Sequence, residues 1–475
     1  MTGATLTIGG AFNSQVGIVS VPSSFLGDTS STSGSLNSLL ENYLVSLTSS
    51  IQGSSTTGAT YAFENNDVAA GPGNDFVTAP ASGSVSGSLE EFTNTNSSGS
   101  VTGGSVSGAY TVSSGVTDVM VQAPGNTVLV ADPSVKFALF GAGSDVGYIQ
   151  STGGSASIVA AGGKNTIDIV AASVNDTVWS AGNDLISFNG TDGNNLVNAE
   201  GDATTTVLIG GSDAATVTAS DNAAVNVQFF QRAGGSLDFI NNSTQAQTVF
   251  SGAFGAGYAP NSITVNAGAG GGYFVGGRGG NNSLAGGTGA VTLVGGGVGD
   301  TLIGASSATT APGGISNYLF GGAGAQTLLG ATGSGTNVFQ IGVYAPGMGT
   351  FQASGLVSTE GSGSQYFVIG NTNGETITGS NATGANNVYD ILGTNTTGGS
   401  SLTITNFGQN SQILLVDSTL GAGGDASIAA LGTPLGGGGT EIVLSDNTTI
   451  LLKGVSSSHV GSVAGANGLV FINYH

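Results

Sequence analysis

Cysteine is absent from the 475 residues, which excludes disulfides, zinc–thiolate sites and thiol catalysis. Basic residues are nearly absent too. Lys136, Lys164, Arg232, Arg278 and Lys453 face 27 carboxylates, for a formal net charge of −22. No basic patch can form to neutralise nucleic-acid phosphates, and an anionic membrane surface repels such a chain. The two histidines, His459 and His475, both stand near the C-terminus, so the body offers no imidazole for a triad, a proton shuttle or a zinc site. No stretch approaches the ~18 apolar residues of a membrane-spanning helix, which argues against membrane insertion. The opening residues, MTGATLTIGGAFNSQVGIV, lack the cationic and apolar regions of a cleaved secretion signal. Only 7 % of residues are charged, against an ordinary ~25 %, so a soluble surface has to be made of Ser, Thr, Asn and Gly.

Glycine is what the chain has in excess: 86 residues, or about 18 % where ~7 % is ordinary. There is no G-X-Y period, which excludes collagen, and 39 % of residues are hydrophobic, which argues against disorder. One early segment has helical periodicity, with Leu36, Leu39, Leu40, Tyr43, Leu44, Leu47 and Ile51 on one stripe. It predicts a short N-terminal helix within a cap over residues 1–60. From residue 61 short apolar groups recur roughly every ten residues between Gly, Asn, Asp, Ser and Thr, as at Val128–Val130, Ile158–Val159, Ile167–Val170, Leu196–Val197 and Val207–Ile209. Equal spacing alone allows a sandwich, a propeller or a solenoid. Glycine or asparagine at every strand end favours the solenoid, which needs a sharp corner after each strand. The expected fold is all-β: a parallel β-solenoid (β-helix or β-roll) over 61–400, of about 10 to 15 coils, closed by a C-terminal β-cap over 401–475.

The stretch GGRGGNNSLAGGTGAVTLVGGGVGDTLIG (276–304), followed by GGAGAQTLLG (321–330), resembles the glycine-rich nonapeptide GGxGxDxUx of the repeats-in-toxin (RTX) proteins, a type I secreted bacterial class. GPGNDFV (71–77), GAGSDVGYI (141–149) and AGNDLIS (181–187) are similar in part. The resemblance implies a β-roll, export to the cell exterior and calcium held between turns, with Asp75, Asp145, Asp184 and Asp300 as its ligands; the alternative is that these are plain turn formers. The repeats depart from the family pattern, with Gln326 and Asn281 where Asp belongs and GGVGD (296–300) one residue short. LTITNFGQNSQILLVD (402–417) and TEIVLSDNTTILLKGV (440–455) look like the terminal module of that class, which carries an uncleaved secretion signal.

A catalytic constellation is not legible. Glu90 and Glu91 are adjacent in a Ser-, Thr- and Gly-rich segment that reads as a solvated loop, and the basic residues that a polysaccharide lyase would need are isolated among turns. Trp179, Phe229 and Phe230 fall on apolar beats and read as core. Threonine runs such as Thr204–Thr206 do not recur at a fixed offset. The expected function is therefore structural and non-enzymatic: an extracellular bacterial protein that self-associates into a surface layer, matrix filament or biofilm scaffold, with calcium as its cation. An adhesin for cell-surface polysaccharide and a β-helical carbohydrate-active enzyme are the alternatives.

Overall fold

The structure, a computed structural model, describes strands from Ala4 to Tyr474. Side chains are described from residue 131 onward, outside a few short gaps and the connections at 151–153, 171–174, 211–213, 230–234, 252–261, 307–314, 343–351, 393–398, 417–427, 432–437 and 465–468. The expected helix over 36–51 lies outside the described residues. Among the described residues the chain is nearly all β, and its parallel strands form a β-solenoid of about 10 turns. Two compact units divide it: Met1–Asp238 with Asn242–Gln245, and Phe239–Asn241 with Ala246–His475.

In the first unit each coil contributes one strand to each of two parallel sheets. Ser157–Ala160, Thr177–Ser180, Asn194–Ala199 and Ala214–Ala219 stack in one. Thr166–Ile169, Leu185–Phe188, Thr204–Ile209 and Ala224–Phe229 stack in the other. Side chains alternate between interior and surface, as the two-residue period of a strand requires. Aligned interior positions therefore form columns. Ile158, Val178, Val197 and Val217 make one, and Ile167, Ile186, Val207 and Val227 the other, every member fully buried. β-Branched residues suit this position because their stiff side chains pack well on a pleated surface.

Parallel coiling starts later than the composition change at residue 61 suggests. Thr60–Asn65, Asn74–Ala79 and Ser88–Thr93 pair antiparallel, and the first parallel partners are Val116–Val121 on Ser88–Thr93 and Asn126–Val130 on Ser107–Thr111. Before them Ala4–Gly9 and Val16–Val21 form an antiparallel pair.

The second unit repeats the plan. One interior column runs Leu284, Leu302, Leu328, Val357, Ile377, Ile404, and the facing one turns aromatic. Phe339, Phe367 and Tyr389 occupy consecutive coils, with ring centroids 4.9 and 4.7 Å apart and planes within 7° and 9°. Those separations equal the ~4.8 Å rise of one coil, so the register itself sets the stack. At corners the chain reverses within a few residues. Gly280 adopts φ +74 and Asn281 φ +55, and a Cβ at Gly280 would run into the backbone oxygen of Val298 one coil away. The parallel series extends past residue 401, through Ser401–Thr405 and Ser411–Val416. Thr449–Lys453 then adds a last parallel strand to Ser401–Thr405, and antiparallel strands complete this end: Gly439–Val443 on Thr449–Lys453, Ile428–Leu431 on Gly439–Val443, and Val460–Ala464 with Val470–Tyr474.

Truncating the middle ring should open a cavity that its neighbours cannot fill. Phe367→Ala is expected to destabilise the second unit by about 3–5 kcal/mol in urea unfolding. Tyr389→Phe, which removes a buried hydroxyl lacking a hydrogen-bond partner, should be neutral or stabilising.

Candidate functional site

Many buried polar residues gather at the corners, two positions before the first interior residue of a strand. In the first unit Asp145, Asn165 and Asp184 occupy this place in successive coils. The N–H of Asp145 donates to Asn165 Oδ1 (3.2 Å, 20 residues on), and the N–H of Asn165 donates to Asp184 Oδ1 (2.8 Å, 19 residues on). Asp184 Oδ2 accepts from Ser180 Oγ at 2.7 Å and from the N–H of Gly182 at 3.2 Å. At the opposite corner the N–H of Ala156 donates to Asp176 Oδ1 and that of Asp176 to Asn195 Oδ1. Each side chain thus accepts the N–H that opens a strand in the coil before it, a donor that no strand neighbour serves.

The second unit carries the same ladders. The N–H of Ile263 donates to Asn282 Oδ1, and Asn282 donates to Asp300 Oδ1 through both its backbone N–H (2.9 Å) and its Nδ2 (2.8 Å). Asp300 Oδ2 accepts from the N–H groups of Gly296 (2.7 Å) and Gly297 (2.9 Å). On the other sheet, amides alone continue the chain: Asn317 Nδ2 donates to Asn337 Oδ1, and Asn337 Nδ2 to Gln365 Oε1, both at 2.8 Å. Sequence alignment to the nonapeptide put Asn281 in the aspartate position. The buried ladder residue is Asn282, and Asn281 is an exposed left-handed turn residue.

The four aspartates read as calcium ligands do not come together. Asp75 lies within a strand, in register with Glu64 and Phe92. Asp145 and Asp184 are separated by the Asn165 coil, and Asp300 belongs to the second unit. Calcium requires 6–8 oxygen ligands. At Asp184 and Asp300 both carboxylate oxygens already face N–H or O–H donors, the adjacent ladder members are uncharged (Asn165 and Thr205, Asn282 and Gln326), and among the described residues no three His, Cys, Asp or Glu side chains group to hold a metal ion. This donor set does not fit calcium. Burial pushes both carboxyls above the usual range, opposed by the bonds from Asn165, Ser180 and Gly182 at Asp184, and from Gly297, Asn282 and Gly296 at Asp300.

Other titratable groups are dispersed. Burial, then the charge of Asp221, raises Glu200. Glu90 and Glu91 lie within the strand Ser88–Thr93 rather than a loop. His459 stacks on Tyr474 in the C-terminal antiparallel pair, with centroids 5.3 Å apart. Trp179 and Phe229 are buried, as their apolar beats suggested, whereas Phe230 lies outside the described residues. In the second unit Thr301, Thr327, Leu356, Thr376 and Thr403 share one outward column, so threonine recurs there on four strands of five without a fixed offset in the chain.

Glu375 is the residue that sequence reading missed. It occupies the same ladder position, 1 % exposed, at a bulge where Gly374 adopts φ +77. Its register neighbour is Leu402, and Oε2 has no hydrogen-bond partner. Burial pushes its pKa up from 4.5 to about 7. No protein-family model, curated protein or solved structure matches the chain.

Two outcomes follow from these corners. Asp300→Ala strands the N–H groups of Gly296, Gly297 and Asn282, and should cost about 1–3 kcal/mol in urea unfolding, while a chelator leaves the wild-type midpoint in place. A calcium-dependent rise of that midpoint, lost in Asp300→Ala, would return a cation to the corner. Glu375 titrates higher in the folded than in the unfolded chain. Its contribution is therefore fully present below about 4.5 and is lost as pH rises through about 7, a change of up to about 3 kcal/mol. Unfolding midpoints measured from pH 4 to 8 should fall less steeply in Glu375→Gln than in the wild type.

Proposed function

We propose that this chain is a non-enzymatic, extracellular structural protein of a bacterial surface, which self-associates into a layer, matrix filament or biofilm scaffold. The observation that carries the reading is the outermost strand of one sheet in the second unit. Ile428–Leu431, of sequence IAAL, pairs on one side with Gly439–Val443 and has no described partner on the other. An uncharged apolar edge is a template for strand pairing with another chain, and proteins that stay monomeric usually blunt such edges with lysine, proline or a bulge. Composition supports the same reading. Few charges and many Ser, Thr and Asn side chains let faces approach without desolvating ions, and salt screens the surplus carboxylates. The partial likeness to a type I secreted class favours the cell exterior as the place of assembly.

Electron microscopy of the purified full chain over a concentration series tests this. Ordered filaments or sheets, present with and without chelator, are expected; isolated particles at every concentration would overturn the proposal. In an antiparallel strand successive N–H groups point alternately inward and outward. Of Ala429→Pro and Ala430→Pro, one should therefore leave the fold intact and abolish assembly.

A further inference from the structure

Outward-facing positions on the sheet that carries the aromatic stack of the second unit form a second column. It runs Tyr273, Thr292, Tyr318, Val338, Tyr366, Val388, by direct register between neighbouring strands. Every second coil from 273 to 366 thus presents a tyrosine on the surface. Tyr273 is 43 % and Tyr366 36 % exposed, and Tyr318 is half-buried beside Phe320, their rings stacked at 6.1 Å. Rings two coils apart repeat at ~10 Å, and the row covers four coil steps, ~19 Å.

We infer that this row is a binding face for an extended, neutral, β-linked polysaccharide lying along the stacking direction. Three features select that occupant. Aromatic rings present flat apolar faces with a polar tip, which suits the alternating C–H and hydroxyl surfaces of a pyranose. The ~10 Å repeat is about the advance of one disaccharide along an extended β-1,4-linked glycan, so successive rings meet equivalent sugar faces. Charge decides the rest. The chain carries −22, and the charged member of the next outward column is an acid, Asp390, which excludes anionic glycans and the stacked bases of nucleic acid. Nothing in the inference requires the chain to assemble with itself.

Affinity electrophoresis of the full chain through gels containing hydroxyethylcellulose, mixed-linkage β-glucan or galactomannan tests it, with polygalacturonate as the anionic comparison and pull-down on insoluble cellulose and chitin alongside. Retardation by at least one neutral β-linked glycan and none by polygalacturonate is expected. Each of Tyr273→Ala, Tyr318→Ala and Tyr366→Ala should weaken binding about 3- to 10-fold and the triple variant more than 30-fold. Tyr273→Phe should keep most of it, and Tyr148→Ala, an exposed tyrosine of the first unit in register with Asp168, should change nothing. Urea midpoints identify any variant that has lost its fold. Absence of binding to every neutral glycan, or a folded triple variant that binds like the wild type, would overturn the inference. So would loss of self-assembly in that variant without any glycan binding by the wild type, which would make the row a contact between copies.

Discussion

The stacking of this fold depends on satisfying buried backbone N–H groups at its corners, above all the N–H that opens a strand. A parallel coil reverses at its corner, and the opening amide of the next strand is left pointing along the stacking direction, into the interior and away from water. A buried donor without an acceptor costs about 1–3 kcal/mol, and a solenoid repeats the problem at two corners in every turn. Here the remedy is a short polar side chain from the following coil, Asn or Asp, whose oxygen takes that N–H. The aliphatic columns supply the bulk of the stabilisation through burial, while the corner bonds fix which coil stacks on which and in what register.

That division explains why the corners look so much like metal sites in sequence and so little like them in space. Glycines, an aspartate and an aliphatic residue two further on serve an amide ladder as well as a cation shell. The two differ in what the carboxylate oxygens face. At Asp300 they face four N–H donors, and a divalent cation would compete with all of them. Interchange of Asp with Asn along the ladder agrees with this, because an amide oxygen accepts the same N–H without adding charge. Glu375, placed in the ladder position beside a leucine, has no such donor, and its elevated pKa is the physical trace of that difference.

The alternation of apolar and small polar residues was enough to read an all-β chain, and glycine at every strand end was enough to prefer a solenoid. The surface columns were hidden because coil length varies. Ladder partners are 18 residues apart at Asn282 and Asp300, 20 at Asn317 and Asn337, and 28 at Asn337 and Gln365. Tyr273, Tyr318 and Tyr366, or Thr301, Thr327, Thr376 and Thr403, therefore have no common offset in the chain although each set stands in line on the sheet. The aspartate motifs pose the opposite problem, being local in sequence while the coordination they suggested requires neighbours one coil away. Asp75 shows the limit: its GNDFV context matches that of Asp184, yet its strand is antiparallel.

Variation in coil length carries an evolutionary consequence. Closing a 28-residue coil instead of a 20-residue one costs only about 0.3 kcal/mol in loop entropy, less than a single corner hydrogen bond contributes. Additional residues inserted at a corner are nearly free as long as the next strand returns to its ladder position. Two surfaces on one chain are therefore under different rules: the sheet faces are a lattice of fixed pitch, while the corners can lengthen, shorten and change chemistry without disturbing it. A lineage carrying this scaffold can diversify what it displays at its edges and keep unchanged the spacing of what it displays on its faces.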